Sequence, residues 1–265
     1  MRTLGFYTRL YFLIVSQYIK ARMQFRTDFI ISSVGMLFEN VAGIFSLWIL
    51  FKSIPNLEGW NYYELIFIYA FTLLALTPRQ LFFDNIWALG FHLREGSFIK
   101  YYFRPLNMMF YYMSEVFDLK GLSQLLFGIC AFVYSSVKLG LEWDIFKVIL
   151  LLFTLLSSSL IMTALLNIAG STAFWTTEPF SILMFTFRFS TFARYPITIF
   201  NRFLRILFTY VIPISFMAFY PSQLFLRPGN YSILTLFSPL AGVVLFIIGY
   251  AVWSKGVNSY CGTGS

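Results

Sequence analysis

Six apolar runs, each about as long as a bilayer is thick, leave this chain no route to a water-soluble fold. The run at 27–51 shows the arithmetic: about 25 residues rising 1.5 Å each give roughly 37 Å of helix, enough to cross hydrocarbon with some tilt. The others are a run from 62 toward 84, then 119–137, 145–170, 199–220 and 233–253. Inside lipid each backbone N–H and C=O needs an internal partner, so an isolated apolar run of this length is read as a helix. Composition excludes the soluble alternative. Of 265 residues 59% are hydrophobic and only 11% charged, with a mean hydropathy of +0.75, too few charges to cover a solvated surface. The expectation is an all-α membrane protein, a single domain over 1–265 with six transmembrane helices.

The basic residues set the orientation. Arg2, Arg9, Lys20, Arg22, Arg26, Arg94, Lys100, Arg104, Arg188, Arg194, Arg202, Arg205 and Lys255 flank the runs on one side, against Lys52, Lys138, Lys147 and Arg227 on the other. The positive-inside rule puts the thirteen, and with them both termini, in the cytoplasm, and an even number of crossings follows. External cysteine labelling checks this: modification at position 56 and protection at position 97 are expected, and the reverse pattern overturns the topology. The same residues are spread between apolar runs and line no soluble face, so the net charge of +8 does not indicate nucleic acid. No small-residue cleavage pattern follows the first apolar stretch, so no cleaved signal peptide is expected. Cys130 lies in an apolar run and Cys261 in the tail, so no disulfide is expected.

Three segments do not read as clean spans. Residues 1–26 place Leu10, Leu13, Ile14 and Tyr18 on one helical face with Arg9, Lys20 and Arg22 available to headgroups, which suits an interfacial helix. Residues 92–107, HLREGSFIKYYFRPLN, form a short basic connector between the second and third runs. It reads either as an ordinary positive-inside loop or as a short amphipathic helix, broken at Gly96 and ended by Pro105. Residues 171–198 are aromatic but interrupted by Glu178, Pro179, Arg188, Arg194 and Pro196, an interfacial or broken helix. Within the spans, Ser157, Ser158, Ser159 and Ala164 offer small surfaces for close packing. Pro213 permits a kink in the fifth. Glu39, with Asn40 beside it, sits near mid-depth of the first. A carboxylate there either lines a substrate route or gate, or hydrogen-bonds a neighbouring helix.

Catalytic constellations are missing. No HExxH, GxSxG, paired CxxC or GxxxxGK[ST] pattern occurs, no metal ligand set is recognisable, and the single histidine, His92, has no evident acid-base partner. The chain therefore reads as a transporter without its own nucleotide site. An independent secondary carrier is the second reading, although no internal repeat supports it; a membrane enzyme or scaffold is the third.

Several stretches resemble the membrane subunits of ABC-2 type transporters. They are REGSFIKYYFRPLN at 94–107, FW at 174–175, and ARYPITIFNRFLRILFTYVIPISFMAFYPSQLFL at 193–226. The resemblance covers most of the chain and implies a six-span permease, an exporter forming half of a translocation pathway in a prokaryotic plasma membrane. It would work with a second permease, either an identical copy or, by preference, a paralogue, and with two ABC ATPase subunits that carry the ATP and Mg. The connector would then be the ATPase-coupling helix, with Phe98, Ile99 and Tyr102 in the partner's groove. Arg94, Glu95 and Arg104 would stand at the rim, between the breaks at Gly96 and Pro105.

Overall fold

Several helix starts in this chain are written by caps. In the computed structural model, which describes residues 4–54, 57–176, 179–229 and 231–260, Asn61 and Glu64 form a reciprocal capping box at 2.8 and 2.9 Å. Asn107, Asp144, Asn201 and Ser232 each accept a backbone N–H at the start of a helix. Such caps satisfy donors that the helix geometry leaves without partners. Positions 2, 56, 178 and 261, which figured in the expectations above, lie outside the described residues.

The chain opens with α1 (Leu4–Met23), followed by α2 (Arg26–Ser53) and α3 (Tyr62–Phe82). A 3-10 turn then leads to α4 (Leu89–Arg94), and a second, Ser97–Tyr101, precedes α5 (Met108–Ser114) and α6 (Lys120–Lys138). Next come α7 (Ile145–Ser171), α8 (Pro179–Phe189), α9 (Arg202–Ile206), α10 (Phe219–Leu226) and α11 (Ile233–Ser259). No strand occurs among the described residues. Among the described residues five helices, α2, α3, α6, α7 with its 3-10 extension, and α11, are long and apolar enough to cross a membrane. This is a multi-pass membrane protein.

The middle of the bundle is α3, 83% of whose apolar window is buried, against 11% for the peripheral α2. Around α3 pack α6 and α7, and α11 lies along the far side of α7. The chain is broken before the third span: α5 ends at Ser114, and α6 begins only at Lys120. Helix α1 leans on the rest through a few rings, Tyr7 at 4.9 Å and Tyr11 at 6.3 Å from Phe110, and its other face is mostly exposed.

The small residues of α7 are used as expected, and their partner is a glycine row on α11. Ser157 Oγ donates to the Ser238 carbonyl at 2.7 Å and accepts the Gly242 N–H at 3.0 Å. One turn pair further, Ala164 faces Gly249, and Asn167 Nδ2 donates to the Gly249 carbonyl at 3.0 Å. Without an apolar driving force between helices in lipid, close backbone approach and interhelical hydrogen bonds are what hold such a pair together.

The fifth expected span requires correction. Residues 199–220 are not one helix kinked at Pro213 but a series of pieces: α9, a wide turn over Leu207–Val211, a break at Ile212 and Pro213, a 3-10 turn over Ile214–Met217, and α10. Proline has no N–H to continue the ladder and its ring crowds the preceding turn. Non-helical backbone at this depth is tolerated only inside protein. Phe208, Thr209, every residue from Ile214 to Ser222, and Phe225 are buried, while Tyr210 and Val211 of the wide turn are exposed.

Candidate functional site

The connector begins where α4 stops. Gly96 has φ +71°, a left-handed conformation that costs a residue with a Cβ and little for glycine. The expected break at Gly96 therefore parts the connector into two pieces, the end of α4 and the 3-10 turn Ser97–Tyr101, set at an angle. That angle decides which aromatic residues face inward.

Phe98 is fully buried, with ring centroids 5.1 Å from Tyr101, 5.6 Å from Tyr112, 5.5 Å from Phe174 and 6.2 Å from Trp253. Tyr102 is half-buried and donates to the Val257 carbonyl at 2.6 Å. The expectation that both rings enter a partner's groove is thus corrected: the ends of α7 and α11 supply a pocket within the same chain. What the connector exposes instead is Ile99 and, at 79% exposure, Phe103. Around them Arg94, Glu95, Arg104 and Pro105 are all exposed. Lys100 pairs with Glu115 at 3.0 Å, and Arg104 lies 5.4 Å over the Tyr111 ring.

His92 is half-buried, not solvated, with Nδ1 2.9 Å from Ser97 Oγ. Burial, then the nearby Lys100 ammonium, holds its pKa below the ordinary value, so it is neutral near pH 7. Tyr101 donates to Glu115, and burial together with that bond pushes its phenol well above the usual range. These groups hold the connector in place, and no nucleophile or acid-base pair stands among them. Among the described residues no three His, Cys, Asp or Glu side chains gather to hold a metal.

Glu39 lies elsewhere, at the rim of a cavity of about 170 Å³ between α2, α3, α6 and the end of α8. Glu39 itself is exposed, while Asn40 is buried and its carbonyl accepts the Tyr69 hydroxyl at 3.1 Å. The cavity contains what residue-by-residue reading missed: Arg79, Arg188 and Arg194 converge on it from two separate segments. Arg79 reaches Asp84 at 3.1 Å and stands 5.6 Å from the Phe187 ring centroid. Arg194 lies 5.3 Å over the Tyr69 ring. Burial raises the Asp84 carboxyl above the ordinary carboxylate range, against the pull of Arg79. The one signal in the sequence was Arg79 inside an apolar run beside Pro78; Arg188 and Arg194 are indistinguishable there from other flanking charges.

Compared with known proteins, residues 37–264 match the ABC-2 family transporter proteins. No curated protein and no solved structure matches the chain. The matched stretch takes in the connector, the arginine-lined cavity, the broken fifth segment and the α7–α11 pair, which leaves the carrier and enzyme readings without support. The chain belongs to the ABC-2 family of transporter proteins, as a membrane subunit of a transport system.

Proposed function

We propose that this chain is one of two permeases in an ATP-driven exporter of a prokaryotic plasma membrane, coupled to two ABC ATPase subunits that bind ATP and Mg. The observation that carries this reading is the connector's outer surface in a chain of this family: Ile99 and Phe103 exposed together, edged by Arg94, Lys100 and Arg104, with no phosphate loop of the chain's own. A short apolar patch with a charged rim, on a rigidly backed turn, suits the groove of a partner subunit. The broken segment over 202–226 then serves as the fifth crossing and brings the total to six. With five crossings the termini would lie on opposite sides, which the distribution of basic residues opposes. The second permease is needed because a single chain supplies only half of a pathway.

Affinity purification of the tagged full chain with its neighbouring gene products tests this reading. Co-purification of an ATPase and a second multi-span chain is the expected result. The double variant Ile99→Ala, Phe103→Ala should weaken ATPase capture by about 2–4 kcal/mol if both side chains are anchors. Arg94→Gln, an exposed rim charge, should cost less than about 1 kcal/mol. Full capture and coupling in the double variant would mean that this stretch is only a positive-inside loop.

A further inference from the structure

Three residues that line one cavity each carry a buried nitrogen donor with nothing to donate to. Asn40 Nδ2, Arg79 Nε and Arg194 Nε are all buried without an acceptor. Asn40 is 3% exposed and Arg79 5%, and all three residues line the space beside Glu39. A buried donor left without a partner is costly, so such groups call for an explanation.

Neighbouring donors are already engaged: Gln80 with Asp118 at 3.1 Å, and Gln124 with the Leu73 carbonyl at 3.0 Å. What the cavity lacks is acceptors. Water supplies acceptors but no charge, and the lining itself carries three guanidiniums against one carboxylate. Asp84 and Asp118 both act on Arg79, and Glu39 is the carboxylate on the lining itself; Arg188, which is exposed, and Arg194, which is half-buried, have no ion-pair partner among the described residues. Arg194 has no carboxylate within ion-pair distance among the described residues. It cannot shed its proton, and its planar fork of donors matches carboxylate and phosphate.

We infer that this cavity is an anion-binding site for a phosphate or carboxylate group, either borne by an amphiphile or free in solution. Arg188 and Arg194 supply the charge, and Asn40 and Arg79 supply the buried donors. The space admits one headgroup-sized anion. Phe38 and Val41, which flank Glu39 and Asn40 in the chain, are 72% and 53% exposed and would give an attached acyl chain an apolar surface. This assignment goes beyond the permease reading, and its test is blind to ATPase coupling, so either can fail alone.

The experiment uses the full chain in phosphatidylcholine nanodiscs, with thermal stability as the readout. One arm adds phosphatidylglycerol to the discs, and the other titrates inorganic phosphate. Stabilisation of the unaltered chain is expected in at least one arm. A response to the lipid alone identifies a lipid-borne anion, and a response to phosphate identifies a free one. Arg188→Gln and Arg194→Gln should each weaken the response by roughly tenfold, as expected for losing a charge-assisted contact. Glu39→Gln, which removes the cavity's own carboxylate from an exposed position, should strengthen it. Arg202→Gln, a basic residue outside the cavity, should leave it unchanged. Absence of stabilisation in both arms, or cavity variants that respond like the unaltered chain, overturns the assignment.

Discussion

Phe98→Ala should destabilise the chain by about 3–5 kcal/mol, the range for removing a buried aromatic ring. The ring is fully buried and touches the rings of Tyr101, Tyr102, Tyr112, Phe174, Trp253 and Tyr260. That cluster joins the connector to α5 and to the ends of α7 and α11. Its loss leaves a void that cannot close without moving three backbone segments, because close-packed interiors relax only in part. Phe98→Leu keeps most of the volume and should cost much less. Thermal unfolding of the purified chain in detergent reads both variants, with Ile99→Ala, an exposed neighbour, as the comparison. If Phe98→Ala melts as the unaltered chain does and loses only its ATPase partner, the ring is a docking anchor after all.

Gly242→Ala should be the most damaging single methyl in the protein. A Cβ built at Gly242 stands 1.7 Å from the Ser157 carbonyl oxygen and 2.9 Å from Ser157 Oγ. The clash is with main chain and cannot be relieved by a side-chain rotation, so α7 and α11 must separate along their length. Separation also stretches the Ser157 bonds to Ser238 and Gly242. Overpacking costs typically about 1–3 kcal/mol, and a backbone collision belongs at or above the top of that range. Interhelical hydrogen bonds in membranes average about 0.6 kcal/mol each. Gly249→Ala is the control: its Cβ meets the Ala164 carbonyl at 3.2 Å, a contact that a shift of a few tenths of an ångström relieves. Equal melting temperatures for the two variants would show that the seam is looser than the geometry states.

The length and apolarity of five spans, the helix starts at Asn61, Asn107, Asp144 and Ser232, the break at Gly96 and the small face of α7 were all legible in the sequence. Each is local. A cap, a left-handed glycine or a run of apolar residues acts within a few positions along the chain, and hydrocarbon enforces helix wherever the run is long enough. The interruption by Pro213 was visible too, but not its outcome. A proline inside a span kinks the helix if the freed carbonyls face lipid and breaks it if surrounding protein can take them up, and only the burial of Ile214 to Ser222 decides which.

Tertiary packing decided the rest. Phe98 and Ile99 are adjacent and both apolar, and the turn after Gly96 sends one into the core and leaves the other outside. Arg79, Arg188 and Arg194 are more than a hundred positions apart at the extremes and meet only because α3 and the end of α8 border one cavity. Gly242 is one of the sixteen glycines in the chain, and nothing beside it in sequence distinguishes it. Its role comes from the Ser157 carbonyl that α7 brings up against it, a contact between residues too far apart for any local pattern to encode.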